Sequence, residues 1–218
     1  MEIAVIVPCC NQISKLTRCL DSIRHQSTGD SVIIVVDDGS EPPLVRSDDY
    51  HLIRFPRNMG VQQARNAGYM YAKNLKSDFI LFCDQDVYWK PRAFYQFLQA
   101  LRIAPECAYA YGDYERYGQF NGVFRAGPFS SVRLQAVNFV STMALVRSEC
   151  LPKVPFVEDE KRLQDWSLWL RMLNAGHKGV YTDEVMFETG FSKESVSSRG
   201  PADYQYWHQL MQRRYVKR

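Results

Sequence analysis

The feature that most constrains the fold of this sequence is a continuous apolar run that ends in two carboxylates. Residues 79–83 are all apolar, and Asp84 and Asp86 follow them, separated by Gln85. A short apolar run with polar ends predicts a strand buried on both faces of a sheet, and open α/β sheets bind ligands at the carboxyl ends of such strands. In an extended segment both carboxylates point the same way and can share one Mg²⁺ or Mn²⁺ ion. A solvated, Asp-rich turn is the alternative interpretation.

Composition limits the class of protein. With 218 residues, of which 46% are hydrophobic and 23% charged, the sequence predicts one folded globular domain rather than a disordered or fibrous chain. The formal net charge of only +3 argues against nucleic acid as the main partner. No apolar run approaches the roughly 18 residues of a spanning helix, and the first residues lack the basic start of a signal peptide. We therefore expect a cytoplasmic protein.

Apolar strands and amphipathic helices alternate through the first half of the sequence. Strand–helix–strand units make neighbouring strands parallel, so this order predicts an α/β fold with a doubly wound, mostly parallel central sheet and helices on both faces. Gly68 lies inside a predicted helix, where it costs about 1 kcal/mol relative to Ala, which indicates close packing or the approach of a ligand. The predicted strands are 3–7, 32–36 and, more weakly, 51–55, and the predicted helices run from about 13 to 29, 61 to 75 and 91 to 103.

The second half of the sequence is less regular. Asp165 falls in the first turn of a predicted helix, where the helix dipole favours a carboxylate, so it is a helix-start residue and equally a candidate base. His208, on the last predicted helix, is interpreted as packed among aromatic residues rather than bound to a metal. The Ser-rich residues 189–200 predict a mobile loop. Strands are predicted at 107–111, 122–125, 137–146 and 178–182, and helices at 164–174 and 203–218.

Several ordered motifs give the sequence a resemblance to a known family. They are Pro8-Cys9-Cys10-Asn11, Val35-Val36-Asp37-Asp38-Gly39-Ser40, Asn58-Met59-Gly60 with Ala64-Arg65-Asn66-Ala67-Gly68, Asp84-Gln85-Asp86, and Gln164-Asp165 with Leu168-Trp169-Leu170-Arg171. In this order they resemble the inverting, nucleotide-sugar-dependent glycosyltransferases of family 2, over about residues 3–182. The resemblance implies the GT-A fold and transfer of a sugar from a nucleoside diphosphate sugar, most simply a UDP-sugar, to an acceptor hydroxyl in polysaccharide or glycan assembly.

The resemblance implies donor-site roles for residues at the ends of the first strands. Asp86, with Asp84 beside it, would hold Mn²⁺ or Mg²⁺ against the two phosphates and so neutralise the leaving group. Asp84 would reach either this cation or the donor ribose. Asp38 would hydrogen-bond the nucleotide base in a pocket shaped by Pro8 and Asn11.

The resemblance also implies roles on the acceptor side. Asp165 matches the general base of the family, which takes the proton of the acceptor hydroxyl in a single, inverting displacement. Arg65 would lie on the donor side of the crevice, and a salt bridge on the helix surface is the alternative.

Two positions depart from the family pattern. Cys10 replaces an aromatic residue, which weakens packing on the base, and Gln164 replaces a glutamate, which leaves the base in place.

The resemblance implies one GT-A domain over residues 1–218. Its nucleotide-sugar-binding half would cover about 1–112, its acceptor-side half about 113–190, and a mobile loop and C-terminal helix about 191–218. A glycan or a lipid-linked molecule would be the acceptor. The basic residues 213–218 would allow peripheral contact with the inner face of an anionic membrane, with a solvated helix end as the alternative.

Other classes of protein remain as alternatives. A sugar-nucleotide nucleotidyltransferase shares the sheet and a carboxylate-bound metal, but it usually carries a Gly-rich, basic loop after the first strand, where this sequence has Cys9-Cys10-Asn11-Gln12. A dinucleotide-dependent dehydrogenase is disfavoured, since no G-x-G-x-x-G follows that strand. A non-catalytic nucleotide-sugar-binding protein would keep Asp38 and Asp86 but would tolerate the loss of Asp165.

Overall fold

The part of the chain that the structure describes contains nine strands and six α-helices. The structure is a computed structural model, and it describes residues 2–26, 31–119, 121–191 and 200–216. The strands are β1 (Ile3–Cys9), β2 (Ser31–Asp37), β3 (His51–Arg54), β4 (Phe79–Phe82), β5 (Val87–Trp89), β6 (Tyr109–Gly118), β7 (Gly122–Phe124), β8 (Leu145–Arg147) and β9 (Gly179–Phe191). The helices are α1 (Ile13–Arg24), α2 (Val61–Leu75), α3 (Ala93–Ile103), α4 (Ser131–Ala136), α5 (Gln164–Asn174) and α6 (Pro201–Tyr215), and a 3₁₀ helix covers Ser148–Cys150.

All of these strands belong to one sheet, in the order β3-β2-β1-β4-β8-β6-β9-β5, with β7 paired to β6. Strands β3, β2, β1 and β4 are parallel to one another, and β6 is parallel to β9. Strand β8 is antiparallel to both β4 and β6 and joins the two parallel groups. The carboxyl ends of β1, β2 and β4 therefore lie side by side at one edge of the sheet.

Helices cover both faces of the sheet, as the alternating pattern predicts. Ile3, Val5 and Val7 pack in an apolar cluster with α1 and α3, whereas Ala4 and Ile6 pack in a second cluster with α2, α5 and α6. These five side chains of β1 are fully buried, which explains why that strand reads as an unbroken apolar run. The predicted doubly wound, mostly parallel sheet is confirmed. None of the described helices combines the length and apolar character that crossing a bilayer requires.

Gly68 lies where α2 crosses β1. A Cβ atom at this position would lie 2.4 Å from Cγ2 of Ile6 and 3.3 Å from Cγ2 of Val36, which is too close for any side chain. The helix can approach the sheet this closely only because residue 68 has no side chain. Of the two explanations offered for this glycine, close packing is the one that the structure supports.

The segment that carries the two carboxylates is not an extended strand, and that prediction was wrong. Strand β4 ends at Phe82, and a turn follows in which the amide of Val87 donates to the carbonyl of Asp84 at 3.1 Å. The pairing of β4 with β1 ends at Phe82, opposite Ile6, and one further hydrogen bond follows before the turn, from the amide of Cys83 to the carbonyl of Ile6 at 2.9 Å. Strand β5, which the sequence did not predict, begins directly after the turn.

The second half holds most of the other corrections. The predicted strand at 137–146 was wrong for most of its length, because only β8 is a strand and residues 137–144 are irregular. Helix α4 was not predicted. Helix α5 has the predicted bounds, and the last strand continues well beyond the predicted residue 182. The predicted mobile loop falls mostly on residues 192–199, which lie outside the described residues.

Candidate active site

Three loops at the carboxyl ends of β1, β2 and β4 are joined to one another by hydrogen bonds. The amide of Asn11 donates to Oγ of Ser40 at 3.1 Å, and the amide of Glu41 donates to Oδ1 of Asn11 at 2.7 Å. The amide of Cys10 donates to Oε1 of Gln85 at 3.3 Å. Gln85, the residue between the two carboxylates, therefore anchors the loop after β1. The sequence did not predict this role.

Asp38 is buried and holds the turn that leads into α2. Its Oδ1 accepts the amide of Met59 at 2.6 Å and its Oδ2 accepts the amide of Gly60 at 2.9 Å, and the residue is only 4% exposed. Gly39 beside it has φ of 73°, and a Cβ there would lie 2.4 Å from the carbonyl carbon of Arg57. The contact of Asp38 with a nucleotide base therefore stays a prediction. The observed partners of its carboxylate are backbone amides.

Asp37 supports the same loop from inside the protein. Its carboxylate is fully buried and accepts the amides of Ser40 at 2.8 Å and Leu44 at 3.1 Å, and it pairs with Nη1 of Arg54 at 3.2 Å. Burial alone would raise the pKa of Asp37, but these hydrogen bonds and the guanidinium lower it below its usual value. Pro8, a predicted pocket residue, lies in β1 opposite Val36 and is buried.

Asp84 and Asp86 lie in the turn after β4 and form a pair of carboxylates that repel each other. Burial and the charge of Asp84 raise the pKa of Asp86 to about 6, although Lys15 nearby acts in the opposite direction. Within the described ranges there is no group of three or more His, Cys, Asp or Glu side chains that would enclose a metal ion. Two carboxylates nevertheless suit Mg²⁺ or Mn²⁺, which are commonly bound through one or two carboxylates with substrate phosphates and water completing the shell.

Arg65 connects the carboxylate turn to the start of α5. Its Nη2 donates to Oδ1 of Asp84 at 2.5 Å, and its Nη1 donates to Oε1 of Gln164 at 3.2 Å. The guanidinium carbon lies 4.9 Å from the ring centre of Phe156, and the residue is only 6% exposed. Arg65 thus forms an ion pair, but in the interior of the site rather than on the helix surface.

Asp165 lies in the first turn of α5, next to Gln164, and is partly buried. Its Oδ2 accepts Nδ2 of Asn138 at 2.8 Å, and its Oδ1 accepts the amide of Trp166 at 2.9 Å. Burial raises the pKa of Asp165 above its usual value, and these hydrogen bonds and the charge of Arg65 offset only part of the effect. A carboxylate with a raised pKa is a stronger base than one with an ordinary pKa.

No sequence signal pointed to Asn138, because residues 137–146 were interpreted as a strand. The two tryptophans of α5 bond to α4 and to this irregular segment. Trp166 and Trp169 are fully buried, and their indole nitrogens donate to the carbonyls of Leu134 at 2.6 Å and Val140 at 2.9 Å. Both rings therefore belong to the core, and Trp166, with no exposed surface, offers no face to a ligand.

The geometry brings the predicted residues to one edge of the sheet, with Asp84 and Asp86 on the side of the parallel strands and Asp165 on the facing helix. The sequence profile of Glycosyl transferase family 2 matches residues 4–151. An uncharacterized glycosyltransferase of Haemophilus influenzae is 24% identical over 99% of this chain and 77% of its own length.

Solved structures show the same fold. S. aureus TarS in complex with UDP-GlcNAc has a TM-score of 0.71 at 17% identity, covering 97% of this chain and 65% of the TarS chain. The mannosyltransferase PcManGT from Pyrobaculum calidifontis, in complex with GDP-Man and Mn²⁺, has a TM-score of 0.64 at 16% identity, covering 96% of this chain and 62% of its own. This chain therefore spans less than two thirds of either solved chain.

The fold and the site thus define a transferase with the GT-A architecture. The chain belongs to glycosyl transferase family 2. The predicted family, the GT-A fold and glycosyl transfer from a sugar nucleotide are confirmed, and the nucleotidyltransferase alternative is not favoured.

Proposed function

We propose that this chain is a metal-dependent, inverting glycosyltransferase that moves a sugar from a nucleoside diphosphate sugar to an acceptor hydroxyl. The observation that carries the proposal is the double contact of Arg65. One buried guanidinium bonds both Asp84, in the carboxylate turn, and Gln164, the neighbour of Asp165. A donor diphosphate at the turn and a base at the start of α5 would therefore face each other across a short crevice.

The acceptor side of the reaction is assigned to Asp165. Its carboxylate would accept the proton of the acceptor hydroxyl as that oxygen attacks the anomeric carbon, from the side opposite the leaving diphosphate. Such a single displacement inverts the anomeric configuration. Asn138 and the amide of Trp166 hold both carboxylate oxygens, so the orientation of the base is set before substrate binds.

The donor side is assigned to the loops around Asp84 and Asp86. A divalent cation at these carboxylates would supply charge neutralisation for the leaving diphosphate, and the mutual repulsion of the pair favours such an ion. Asp38, Pro8 and Asn11 would border the base. A UDP-sugar is our first choice of donor, supported by the UDP-GlcNAc complex of TarS, and Mn²⁺ is supported by the PcManGT complex.

The proposed acceptor is a glycan or a lipid-linked molecule, in polysaccharide assembly on the cytoplasmic side of a membrane. The basic C-terminus contributes less to membrane contact than its sequence suggests. Arg214 is paired with Asp159 at 2.8 Å and with Glu160 at 3.3 Å, and residues 217–218 lie outside the described residues. The solvated helix end is therefore the interpretation that we retain.

A thermal-shift screen tests the proposed function. The purified chain is heated with UDP, GDP, CDP, their sugar conjugates and the triphosphates UTP, GTP and CTP, each with Mn²⁺, Mg²⁺ or a chelator. Ligand at about a hundred times its Kd adds roughly 2.7 kcal/mol to the free energy of unfolding, so one diphosphate series should raise Tm only when metal is present. Stabilisation by nucleoside triphosphates alone, or by none of these compounds, would contradict the proposal.

A further inference from the structure

Helix α6 contacts both chain segments that hold Asp165. We propose that α6 is a clamp that sets the position of this base, with Tyr215 and His208 as its positioning residues. The inference rests on the proposed function, because it assigns Asp165 as the base. It concerns a part of the chain that lies beyond the motifs of the carboxylate turn and the donor loops.

The first arm of the clamp holds the loop that precedes α5. The hydroxyl of Tyr215 donates to Oε1 of Glu160 at 2.6 Å, and Nη1 of Arg214 lies 3.3 Å from the same oxygen. Arg162, two residues further along, pairs with Asp203 in the first turn of α6 at 2.8 Å. The loop reaches Asp165 three residues after Arg162, so α6 fixes the path by which the chain enters the helix that carries the base.

The buried carboxylate of Glu160 makes the position of this loop sensitive to the loss of a hydrogen-bond partner. The residue is fully buried, and its Oε2 has no hydrogen-bond partner among the described residues. Its backbone carbonyl accepts Nε2 of Gln62 at 2.7 Å, which ties the loop to α2, the helix of Arg65. When a buried carboxylate already lacks one hydrogen-bond partner, the loss of another costs much free energy. Removal of the Tyr215 hydroxyl should therefore displace the loop.

The second arm holds the segment that carries Asn138. Nε2 of His208 lies 2.9 Å from the carbonyl of Ala136, and since a carbonyl only accepts, the ring nitrogen is the donor. Nε2 of Gln212 donates to the carbonyl of Gln135. These two carbonyls belong to the last turn of α4, and Asn138, which donates to Asp165, follows two residues later.

His208 also connects the two arms. Its ring centre lies 4.8 Å from that of Trp166, whose amide donates to Asp165. One side chain of α6 thus touches the residue after the base and the segment before the asparagine that orients it. These contacts agree with the prediction that His208 packs among aromatic residues. They also show that it packs on Trp166.

Polar contacts hold α6 against the rest of the chain in addition to apolar packing. Its buried apolar residues within the described chain are Trp207 and Met211. A shift of about 1 Å in a reacting group can lower a rate by a factor on the order of 100, so a helix that fixes the position of a base affects kcat without touching the donor. This predicts a separation of kcat from donor binding.

Point variants on α6 test the clamp. Tyr215→Phe removes one hydroxyl and His208→Leu removes the ring donor, whereas His208→Gln keeps an amide donor near the position of Nε2. Tyr206→Phe is the matched control, because it makes the same chemical change on the same helix at a residue that is 62% exposed. UDP release from UDP-GlcNAc and GDP release from GDP-mannose are measured, with donor KM, and the Kd values of UDP and GDP are measured by calorimetry.

We expect Tyr215→Phe and His208→Leu to lower kcat by about tenfold or more, with donor KM and nucleotide Kd within about twofold of the wild type. His208→Gln should restore most of the lost kcat, and Tyr206→Phe should match the wild type. Equal kcat in Tyr215→Phe and Tyr206→Phe would overturn the clamp, and so would a loss of nucleotide affinity that parallels the loss of kcat.

A second measurement separates this inference from the proposed function. If the wild type turns over neither donor, the proposed function fails, and amide hydrogen exchange of residues 159–167 then decides whether the clamp exists. Faster exchange of these amides in Tyr215→Phe than in Tyr206→Phe supports the clamp. Equal exchange in the two variants overturns it.

Discussion

At the scale of single residues, the candidate site is a set of carboxylates with different surroundings. Asp37 has a lowered pKa because backbone amides and Arg54 satisfy it, whereas Asp86 has a pKa raised to about 6 by burial and by Asp84. Asp165 also has a raised pKa, mainly because of burial. The ends of predicted strands and the start of a predicted helix identify these residues in the sequence, but their pKa shifts depend on neighbours such as Asn138 that only the folded chain brings close.

Asp86→Asn should stabilise the metal-free protein at neutral pH. The folded pKa of Asp86 is about 6 and its ordinary value is 3.8, so the folded state holds the proton more tightly. Stability therefore falls as pH rises between these values, and the full penalty, about 1–3 kcal/mol, is present above the folded pKa. Asn carries no charge and escapes the penalty.

Thermal unfolding in the presence of a chelator measures this effect. Near pH 7.5 the variant should unfold at a higher temperature than the wild type, and the difference should shrink toward about pH 4. Asp48→Asn, at an exposed carboxylate, is the control and should leave Tm nearly unchanged. A variant that is equally stable or less stable at neutral pH would show that Asp86 is not destabilised by its surroundings.

Asp165→Asn should separate donor binding from transfer. Asn has nearly the same shape but cannot take a proton, so turnover should fall by a factor of about 10² to 10⁴ while the Kd of the nucleotide changes little. Steady-state kinetics and calorimetry on the same preparation measure the two quantities. Near-wild-type kcat would remove Asp165 as the base and would favour a helix-start role.

At the scale of secondary structure, local signals identified the elements of the first half. Helix α2 has the predicted bounds, residues 61–75, because its apolar spacing and the preceding glycine turn agree. The strand that was predicted from residue 79 ends earlier than expected, at Phe82, where its pairing with β1 stops although β1 itself continues to Cys9. Within the irregular segment 137–144, Phe139, Val140, Met143 and Ala144 are buried, and a period of two cannot distinguish such a pattern from a strand.

Gly68→Ala should destabilise the protein although Ala favours helices. A Cβ atom would lie 2.4 Å from Ile6, inside the packed interface of α2 with β1, and overpacking of this kind costs typically about 1–3 kcal/mol against a helix gain of about 1 kcal/mol. Denaturant unfolding should give a lower midpoint. Gly200→Ala is the control, since among the described residues its Cβ would meet nothing within 4 Å. A midpoint at or above that of the wild type would mean that α2 can move away from β1 freely.

At the scale of the whole molecule, the sheet joins two groups of parallel strands through the short antiparallel strand β8. Strands β1 and β2 belong to one strand–helix–strand unit, which is why periodicity predicted their parallel pairing. The pairing of β1 with β4 joins residues about as far apart in the sequence as the pairing of β6 with β9, but it continues the same alternating pattern of strands and helices. Strands β6 and β9 follow no such pattern and pair with bulges near Asp113, so the sequence did not define the second half.

Metal binding should couple the stability of the whole molecule to pH. Asp86 must lose its proton before it can bind a cation, so the extra stability that Mn²⁺ adds with a bound nucleoside diphosphate should grow as pH rises through about 6. Thermal shifts with UDP, measured with Mn²⁺ and with a chelator across this pH range, give the difference directly. In Asp86→Asn the metal-dependent part should disappear. A metal effect that is constant across this range would contradict the coupling.

The two hydrogen bonds of Arg65 limit which chain segments related enzymes can exchange by recombination. A recombination event near residue 112 would replace the segment that supplies Gln164 while keeping the segment that supplies Arg65 and Asp84. Unless the incoming segment also offers an acceptor at position 164, a buried guanidinium nitrogen loses its partner, at a cost of about 1–3 kcal/mol or more. We therefore expect chimeras between relatives to fold and work only when the incoming segment supplies a hydrogen-bond acceptor at position 164.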